Sequence, residues 1–87
     1  MAYWIYILRC QDGTLYTGST DDVERRAATH NRGMGAKYTR GRLPVCVVYR
    51  EELPDRSAAL RREAAIKKLS RAEKLQLLEK TKKEIDK

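Results

Sequence analysis

The chain lacks an apolar run long enough to cross a membrane. About 18 consecutive apolar residues are needed, and the longest run here, Ala2 to Leu8, has the length of a strand. The amino terminus also lacks a basic start followed by an apolar core and a cleavage site, so we expect no secretory signal. Cysteine is scarce: Cys10 and Cys46 have no Cys or His neighbour at metal-ligand spacing. We therefore exclude a zinc site and expect two reduced, buried thiols in a cytoplasmic protein without a membrane partner.

The chain is also short. Its 87 residues predict a single domain spanning residues 1–87, which should bury roughly 60–68% of its unfolded surface. Such a domain has room for one small sheet and a few helices, so we expect its site on the surface rather than in a deep cavity. The carboxyl-terminal residues are highly charged, and we expect their end to fray.

Acidic residues are absent from the middle of the chain. The stretch from Arg25 to Arg50 has seven basic and no acidic residues, whereas the remainder has 12 of each sign, so this stretch carries the whole net charge of +7. A basic field concentrated in this way favours a polyanionic partner, most simply nucleic acid. The alternative is a solvated basic surface that aids solubility, but solubility does not require the charges to cluster.

Three segments have the composition of strands. Tyr3 to Cys10 is rich in aromatic and β-branched residues, and the Asp-Gly turn after it predicts a hairpin whose second strand is Thr14 to Gly18. Val45 to Tyr49 is nearly all apolar, so we expect a third strand that is central or well covered.

Capping residues predict three helices. Asp21, followed by Glu24, is a capping box that starts the first helix, which should run to about Asn31. The Arg32–Leu43 segment has three glycines and four basic residues and reads as a flexible basic loop. The other predicted starts are the cap Asp55, before a helix from Arg56 to about Leu69, and the capping box Ser70 and Glu73.

The order β-β-α-β-α-α predicts an α+β fold in which helices flank a small, three-stranded, mostly antiparallel sheet. Within it, Asp22, Arg26 and His30 are spaced by four and share one face of the first helix. Taken alone, this pattern suits an exposed face with a salt bridge. Tyr6 and Tyr16, however, lie on the paired strands of the hairpin, where cross-strand side chains can meet. Two core tyrosines are the alternative, because Tyr suits strands.

Two further residues fit a phosphate-handling site. Gly18 directly precedes the first helix and allows close backbone approach by a substrate phosphate. Glu63 lies on a partly apolar face of the second predicted helix, where a carboxylate needs a cation, a metal or hydrogen-bond donors. Lys67, four residues later, is equally suited to pair with it.

In this order the residues resemble the motifs of a GIY-YIG nuclease domain, in the manner of its short, stand-alone bacterial members. The first motif reads Trp4-Ile5-Tyr6, with Trp in place of the usual Gly, and the second reads Tyr16-Thr17-Gly18. The resemblance places the catalytic arginine eight residues past Gly18, at Arg26, with His30 following. It places the metal-binding glutamate at Glu63 and covers almost the whole chain.

The resemblance implies a divalent-metal-dependent DNA endonuclease or exonuclease that acts in DNA repair or processing. Glu63 would hold Mg²⁺ or Mn²⁺, and Arg26 would bind charge that develops on the phosphorus. Tyr6 or Tyr16, assisted by His30, would accept a proton from water. Free Tyr has a pKa of about 10, so the tyrosine needs cationic neighbours to act as a base. The predicted nucleic-acid contacts are Gly18, Arg25, Lys37, Tyr38, Thr39, Arg40 and Arg42.

Two other readings stay open. The first is a nucleic-acid-binding module with weak or no catalysis, and it is favoured if Glu63 pairs outward with Lys67 instead of facing the tyrosines. The second is a protein-interaction domain that uses an exposed stripe of Leu75, Leu78 and Ile85. In each nucleic-acid reading we expect a monomer with DNA as its partner, and a protein partner could supply target selection.

Overall fold

The computed structural model describes the backbone of residues 2–85 and the side chains of residues 2–80. The predicted fraying of the carboxyl-terminal end concerns residues 86 and 87, which lie outside the described part. No helix within residues 2–85 is both long and apolar enough to cross a membrane. The elements are β1 (Tyr3–Arg9), β2 (Leu15–Thr20), α1 (Val23–Asn31), α2 (Lys37–Arg40), β3 (Cys46–Leu53), α3 (Arg56–Lys67) and α4 (Arg71–Ile85).

The three strands form an antiparallel sheet in the order β2-β1-β3, so the predicted α+β architecture is confirmed. Alternate residues of β1 face opposite sides of this sheet. Ile5 and Ile7 pack with Ala59 and Ile66 of α3 and form one half of the core. On the other side, a second cluster contains Tyr6, Leu8, Cys10, Val23 and Val45, with Val23 supplied by α1. Helices therefore cover both faces of β1.

The predicted position of β3 is wrong. We expected a central or covered strand over Val45 to Tyr49, but β3 runs over Cys46–Leu53 at an edge of the sheet. β1 takes the centre because its residues Ile5 to Leu8 are all buried. An edge strand tolerates the polar continuation of β3, since its open side faces solvent. Cys46 is accordingly exposed, which corrects the expected burial of both thiols; Cys10 is buried, and both are free.

The start of α1 also differs from the prediction by one residue. The N-cap is Asp22, whose carboxylate accepts a 3.0 Å hydrogen bond from the Arg25 backbone N–H. Asp21 instead pairs with the Arg25 side chain, and Glu24 reaches Arg50 of β3 at 2.6 Å rather than closing a capping box. Extended geometry at Asp22 allows its carboxylate to reach back to the first turn.

The other predicted helix starts are confirmed. Asp55 accepts a hydrogen bond from the Ala58 N–H at 2.8 Å, and α3 follows directly. Ser70 and Glu73 form a reciprocal capping box: the Ser70 N–H donates to Glu73 Oε1 at 2.9 Å, and the Glu73 N–H donates to Ser70 Oγ at 3.2 Å. α4 therefore begins at Arg71, as the sequence pattern required.

The predicted basic loop contains a short helix, α2, between α1 and β3. Thr39 of this helix is fully buried, and its hydroxyl donates to the Ala36 carbonyl at 2.9 Å. The Asn31 side chain at the end of α1 accepts from the Val45 N–H at 2.7 Å and donates to the Val45 carbonyl at 3.0 Å. These bonds anchor the segment against the fold, which glycine content alone did not predict.

Candidate active site

The phenol of Tyr6 lies directly across Gly18 on the neighbouring strand. Tyr6 pairs with Gly18 and Leu8 pairs with Tyr16 in the β1–β2 register, so both tyrosines point to the same face. An ideal β-carbon at residue 18 would stand 2.5 Å from Tyr6 Oη. The sequence predicted that a substrate phosphate approaches Gly18, whereas in the structure the Tyr6 phenol occupies the space beside it. Glycine at this position is what lets the phenol extend over β2.

His30, on α1, is the hydrogen-bond partner of the Tyr6 phenol. Its Nε2 lies 3.1 Å from Tyr6 Oη, and its Nδ1 lies 2.9 Å from Thr39 Oγ1. Because the Thr39 hydroxyl donates its proton to Ala36 O, it can only accept from Nδ1–H. In the neutral imidazole Nε2 then carries no proton and accepts the Tyr6 O–H. The hydrogen-bond network thus assigns the tautomer of the ring.

Gly35 leaves room for the imidazole. A β-carbon at this position would overlap His30 Nδ1, Cγ and Cε1, so any larger residue requires the ring or the loop to move. His30 itself is fully buried rather than on an exposed helix face. Sequence reasoning did not assign roles to Gly35 or to Thr39 as a support of His30. The sequence feature that could have indicated these roles is the short run of small and hydroxyl residues in the basic segment.

Burial and one cation set the protonation of the pair. Burial raises the pKa of Tyr6, and the Arg26 guanidinium partly opposes that rise. Burial also lowers the pKa of His30 below its ordinary value, and the charge of Arg26 adds to this effect. At neutral pH the phenol therefore keeps its proton and the imidazole is neutral. The resting site holds one proton between Tyr6 Oη and His30 Nε2.

Arg26 stands one helical turn before His30 and acts on both members of the pair. It is partly exposed. Among the side chains that the structure describes, no carboxylate forms a salt bridge with Arg26. Its guanidinium is therefore available to an anion that approaches the Tyr6 phenol.

Glu63 is mostly buried on α3, with 17% of its side chain exposed, and pairs with Lys67 at 2.7 Å. It also acts on the tyrosine cluster, because its charge raises the pKa of Tyr6. The pKa of Lys67 is raised by its hydrogen bond to Glu63, and the charge of Tyr16 contributes to the same shift. The ion pair therefore lies within electrostatic range of both tyrosines rather than on a remote surface.

The donors at this position fit only a hydrated hard cation. In the described part of the chain, no three His, Cys, Asp or Glu side chains gather into a metal-binding group. A single carboxylate is nevertheless sufficient for Mg²⁺, which keeps several waters and completes its shell with substrate phosphate. Glu63 would have to exchange Lys67 for such an ion.

A row of rings leads outward from His30. Tyr16 meets His30 edge-on, with 5.4 Å between ring centroids, and Tyr38 stacks against Tyr16 at 6.0 Å. The Arg42 guanidinium lies 4.1 Å from the Tyr38 centroid. Arg42 is fixed there, since its Nε donates to Asp12 Oδ2 at 3.0 Å and its Nη1 donates to the Tyr38 carbonyl at 2.7 Å.

The remaining residues predicted to contact nucleic acid differ in how exposed they are. Arg25 is exposed and pairs with Asp21 at 2.7 Å. Lys37 and Arg40 of α2 are exposed, whereas Thr39 between them is fully buried against His30. The fold therefore gathers the two tyrosines, Gly18, Arg26, His30, Thr39 and Glu63, and leaves Arg25, Lys37 and Arg40 at the surface.

Comparison with known families matches residues 2–76 to the GIY-YIG catalytic domain. This chain belongs to the GIY-YIG family. It is 52% identical over 77 residues to a UPF0213 protein of Staphylococcus haemolyticus, covering 88% of this chain and 94% of that one. It is 57% identical over 70 residues to a UPF0213 protein of Halobacterium salinarum, covering 80% and 91% of the two chains.

Two solution NMR structures share the fold of this GIY-YIG domain. A UPF0213 protein from Bacillus halodurans is 48% identical, with a TM-score of 0.59 over 91% of this chain and 84% of that one. A protein from E. faecalis is 44% identical, with a TM-score of 0.63 over 93% of this chain and 86% of that one. The predicted family and fold class are thus confirmed.

Proposed function

We propose that this GIY-YIG domain is a divalent-metal-dependent nuclease that hydrolyses phosphodiester bonds in DNA, as an endonuclease or exonuclease of DNA repair or processing. The observation that carries the proposal is the Tyr6–His30 hydrogen bond at 3.1 Å, with Arg26 beside it. A structural tyrosine needs no neutral imidazole oriented by a second hydrogen bond. The pair is instead arranged to move a proton.

In the proposed reaction Tyr6 accepts the proton of the attacking water. As the water oxygen bonds to phosphorus, its proton passes to Tyr6 Oη while the phenolic proton passes to His30 Nε2. The bond from phosphorus to the leaving oxygen breaks, and that oxygen then takes a proton from solvent. Because the phenol hands on its proton in the same step, it does not have to be ionised beforehand, which matters for a Tyr whose pKa is raised by burial.

Arg26 stabilises the charge that grows on the phosphate oxygens. It already acts electrostatically on Tyr6, so it is preorganised for a phosphate that arrives there. Glu63 would hold Mg²⁺ or Mn²⁺, which when bound polarises a phosphate oxygen and stabilises the leaving oxyanion. Tyr16, packed edge-on against His30, holds the imidazole in place and leaves Tyr6 as the proton acceptor.

The second candidate function is nucleic-acid binding without cleavage. The observation that favours it is the 2.7 Å ion pair between Glu63 and Lys67, which satisfies the carboxylate without a metal. The reading as a protein-interaction domain has less support. Leu75 is 44% exposed, but Leu78 packs against the core, and the Ile85 side chain lies outside the described residues.

A cleavage assay separates these functions. Wild type, Tyr6→Phe and Glu63→Ala are incubated with labelled single-stranded, duplex, flap and branched DNA, and with matching RNA, in Mg²⁺, Mn²⁺ or EDTA. We expect metal-dependent cutting by the wild type, no cutting by either variant, and retained binding by both. Glu52→Ala, which removes an exposed carboxylate of β3, is the matched control and should cut normally. Salt-sensitive binding without cutting by wild type would favour the binding module.

We also propose that this domain acts as a cytoplasmic monomer and obtains target selection from a protein partner. Its Cα atoms span 31 × 29 × 26 Å. At about 3.4 Å per base pair, such a body reaches roughly nine base pairs of duplex, and single modules of this kind bury less surface on DNA than larger complexes do. Light scattering of the purified protein tests the monomer, and a dimer in that measurement would contradict it.

A further inference from the structure

A cleft of about 180 Å³ lies between the β1–β2 turn and the start of α4. Its lining residues are Thr14, Leu15, Tyr38, Arg71 and Lys74. Of these, Tyr38 belongs to the predicted nucleic-acid contacts, whereas the sequence assigned no role to Arg71 and Lys74 of α4. This α4 cleft is separate from the Tyr6–His30 pair but shares a wall with the row of rings that leads to it.

Among the described side chains, no carboxylate forms a salt bridge with the cations of the α4 cleft. The Arg71 guanidinium donates from Nη2 to the Gly13 carbonyl at 3.0 Å, which fixes it at the rim and leaves its other N–H groups available. Lys74 is partly buried, and within the described side chains it forms no salt bridge.

The acids that neighbour the lining residues in sequence are engaged elsewhere. Asp12 accepts from Thr14 and pairs with Arg42, and Glu73 caps α4 through Ser70. The α4 cleft therefore presents uncompensated positive charge inside a concave surface, a combination that attracts an anion.

Tyr38 connects this charge to the candidate active site. One part of its ring lines the α4 cleft, and the ring also stacks on Tyr16, which in turn contacts His30. Two lining residues, Thr14 of the turn and Leu15 at the start of β2, directly precede Tyr16. A strand whose phosphate reached Tyr6 could therefore continue past Tyr38 into the cleft without leaving the surface.

We propose that the α4 cleft binds a phosphate of an unpaired nucleic-acid strand, on the segment that flanks the phosphate held at Tyr6. Arg71 and Lys74 contact its oxygens, and Tyr38 forms the apolar wall against which the adjoining nucleotide packs. The inference rests on the proposed function. An unpaired strand fits because cations beside an exposed aromatic ring are the usual means of holding single strands, and Tyr38 is 40% exposed.

Salt-dependent binding tests the assignment. A labelled oligothymidine is titrated into the full chain carrying Tyr6→Phe, to prevent cutting, and affinity is followed by fluorescence anisotropy over a range of KCl. Adding Lys74→Ala should weaken binding severalfold and reduce the slope of log K against log salt by about 0.7, the value for one phosphate contact on a single strand. Lys80→Ala removes an exposed charge from the same helix and should leave the slope unchanged.

A second substitution guards against loss of folding. Arg71→Ala also removes the bond to Gly13, so its thermal unfolding is measured beside Arg71→Lys, which keeps the charge and should retain binding. Equal slopes for the Lys74→Ala and Lys80→Ala proteins would overturn the inference. A larger loss on duplex than on the single strand would overturn the assignment to an unpaired strand.

Cleavage by the wild-type protein, measured in parallel, separates this inference from the nuclease proposal. Equal salt slopes for the Lys74→Ala and Lys80→Ala proteins, together with normal cutting by the wild type, overturn the assignment of the α4 cleft and leave the nuclease proposal standing. A reduced slope for Lys74→Ala without any cutting by the wild type supports the cleft and overturns the nuclease.

Discussion

The Tyr6 phenol occupies the space that a side chain on Gly18 would need, since a β-carbon there would lie 2.5 Å from Tyr6 Oη and 2.7 Å from Cζ. The tyrosine of the first sequence motif and the glycine of the second are thus one steric unit across two strands. Because Gly18 has no side chain, the Tyr6 phenol can extend over β2 and reach His30 on α1.

Gly18→Ala should displace the phenol and disable the site. A misplacement of about 1 Å can cost roughly 100-fold in rate, and the overpacking should cost about 1–3 kcal/mol of stability. Cleavage rate and the free energy of unfolding are the measurements. Gly41→Ala is the matched control, because nothing lies within 4 Å of its β-carbon, and it should leave both quantities nearly unchanged. Normal cutting by Gly18→Ala would show that the position of the phenol does not matter.

Thr39→Val should release the imidazole from its orientation. The substitution keeps the shape of the side chain but removes the acceptor for His30 Nδ1–H, leaving a buried donor unpaired at a cost of about 1–3 kcal/mol. Cutting should fall because either ring nitrogen can then hold the proton. Thr39→Ser keeps the hydroxyl and should retain most of the activity. Equal cutting by the Val and Ser proteins would contradict a role for this bond in catalysis.

Stability should fall as the pH drops below about 6.5, the ordinary pKa of an unfolded histidine. The folded pKa of His30 is lower, because burial and Arg26 oppose its charge. The unfolded chain therefore takes up the proton first, and folding loses free energy until the pH passes below the folded pKa. Denaturant unfolding between neutral and mildly acid pH measures this. His30→Gln should flatten the dependence in that window, and an unchanged slope would contradict the assignment.

Lys67→Met should make the divalent ion easier to bind. Lys67 holds Glu63 at 2.7 Å, so a metal has to displace its ammonium group. Removing that competition should lower the Mg²⁺ concentration for half-maximal cutting by about two- to fivefold, the range for modest ion pairs. Lys68→Met, next along the chain and exposed, is the control. Complete loss of cutting by Lys67→Met at saturating Mg²⁺ would mean that the ammonium itself acts on the substrate.

The sequence predicted helix starts and turns correctly where they depend on residues close together in the chain. The caps at Asp55 and Ser70, and the hairpin through Asp12 and Gly13, depend on neighbours within a few residues. The edge position of β3 was missed because strand order depends on pairing with β1, far away in sequence, and the helix at Lys37–Arg40 was missed because the glycines around it suggested a loop. An apolar run such as Val45 to Tyr49 has the same composition in a central strand and in an edge strand that is covered on one face.

The sequence by itself indicated the family through its motifs and the α+β class through the order of its elements. Spacing along strands and helices also predicted that Tyr6 can meet Tyr16 and that Arg26 and His30 share a helix face. Only the tertiary structure decided the tautomer of His30, the need for glycine at residue 35, the ion pair of Glu63 with Lys67 and the α4 cleft. The tautomer and the α4 cleft depend on segments distant in sequence, whereas Gly35 and His30 are five residues apart and meet where the chain folds back after α1. The ion pair has the local spacing that the sequence shows, but its proximity to Tyr6 depends on how α3 packs against the sheet.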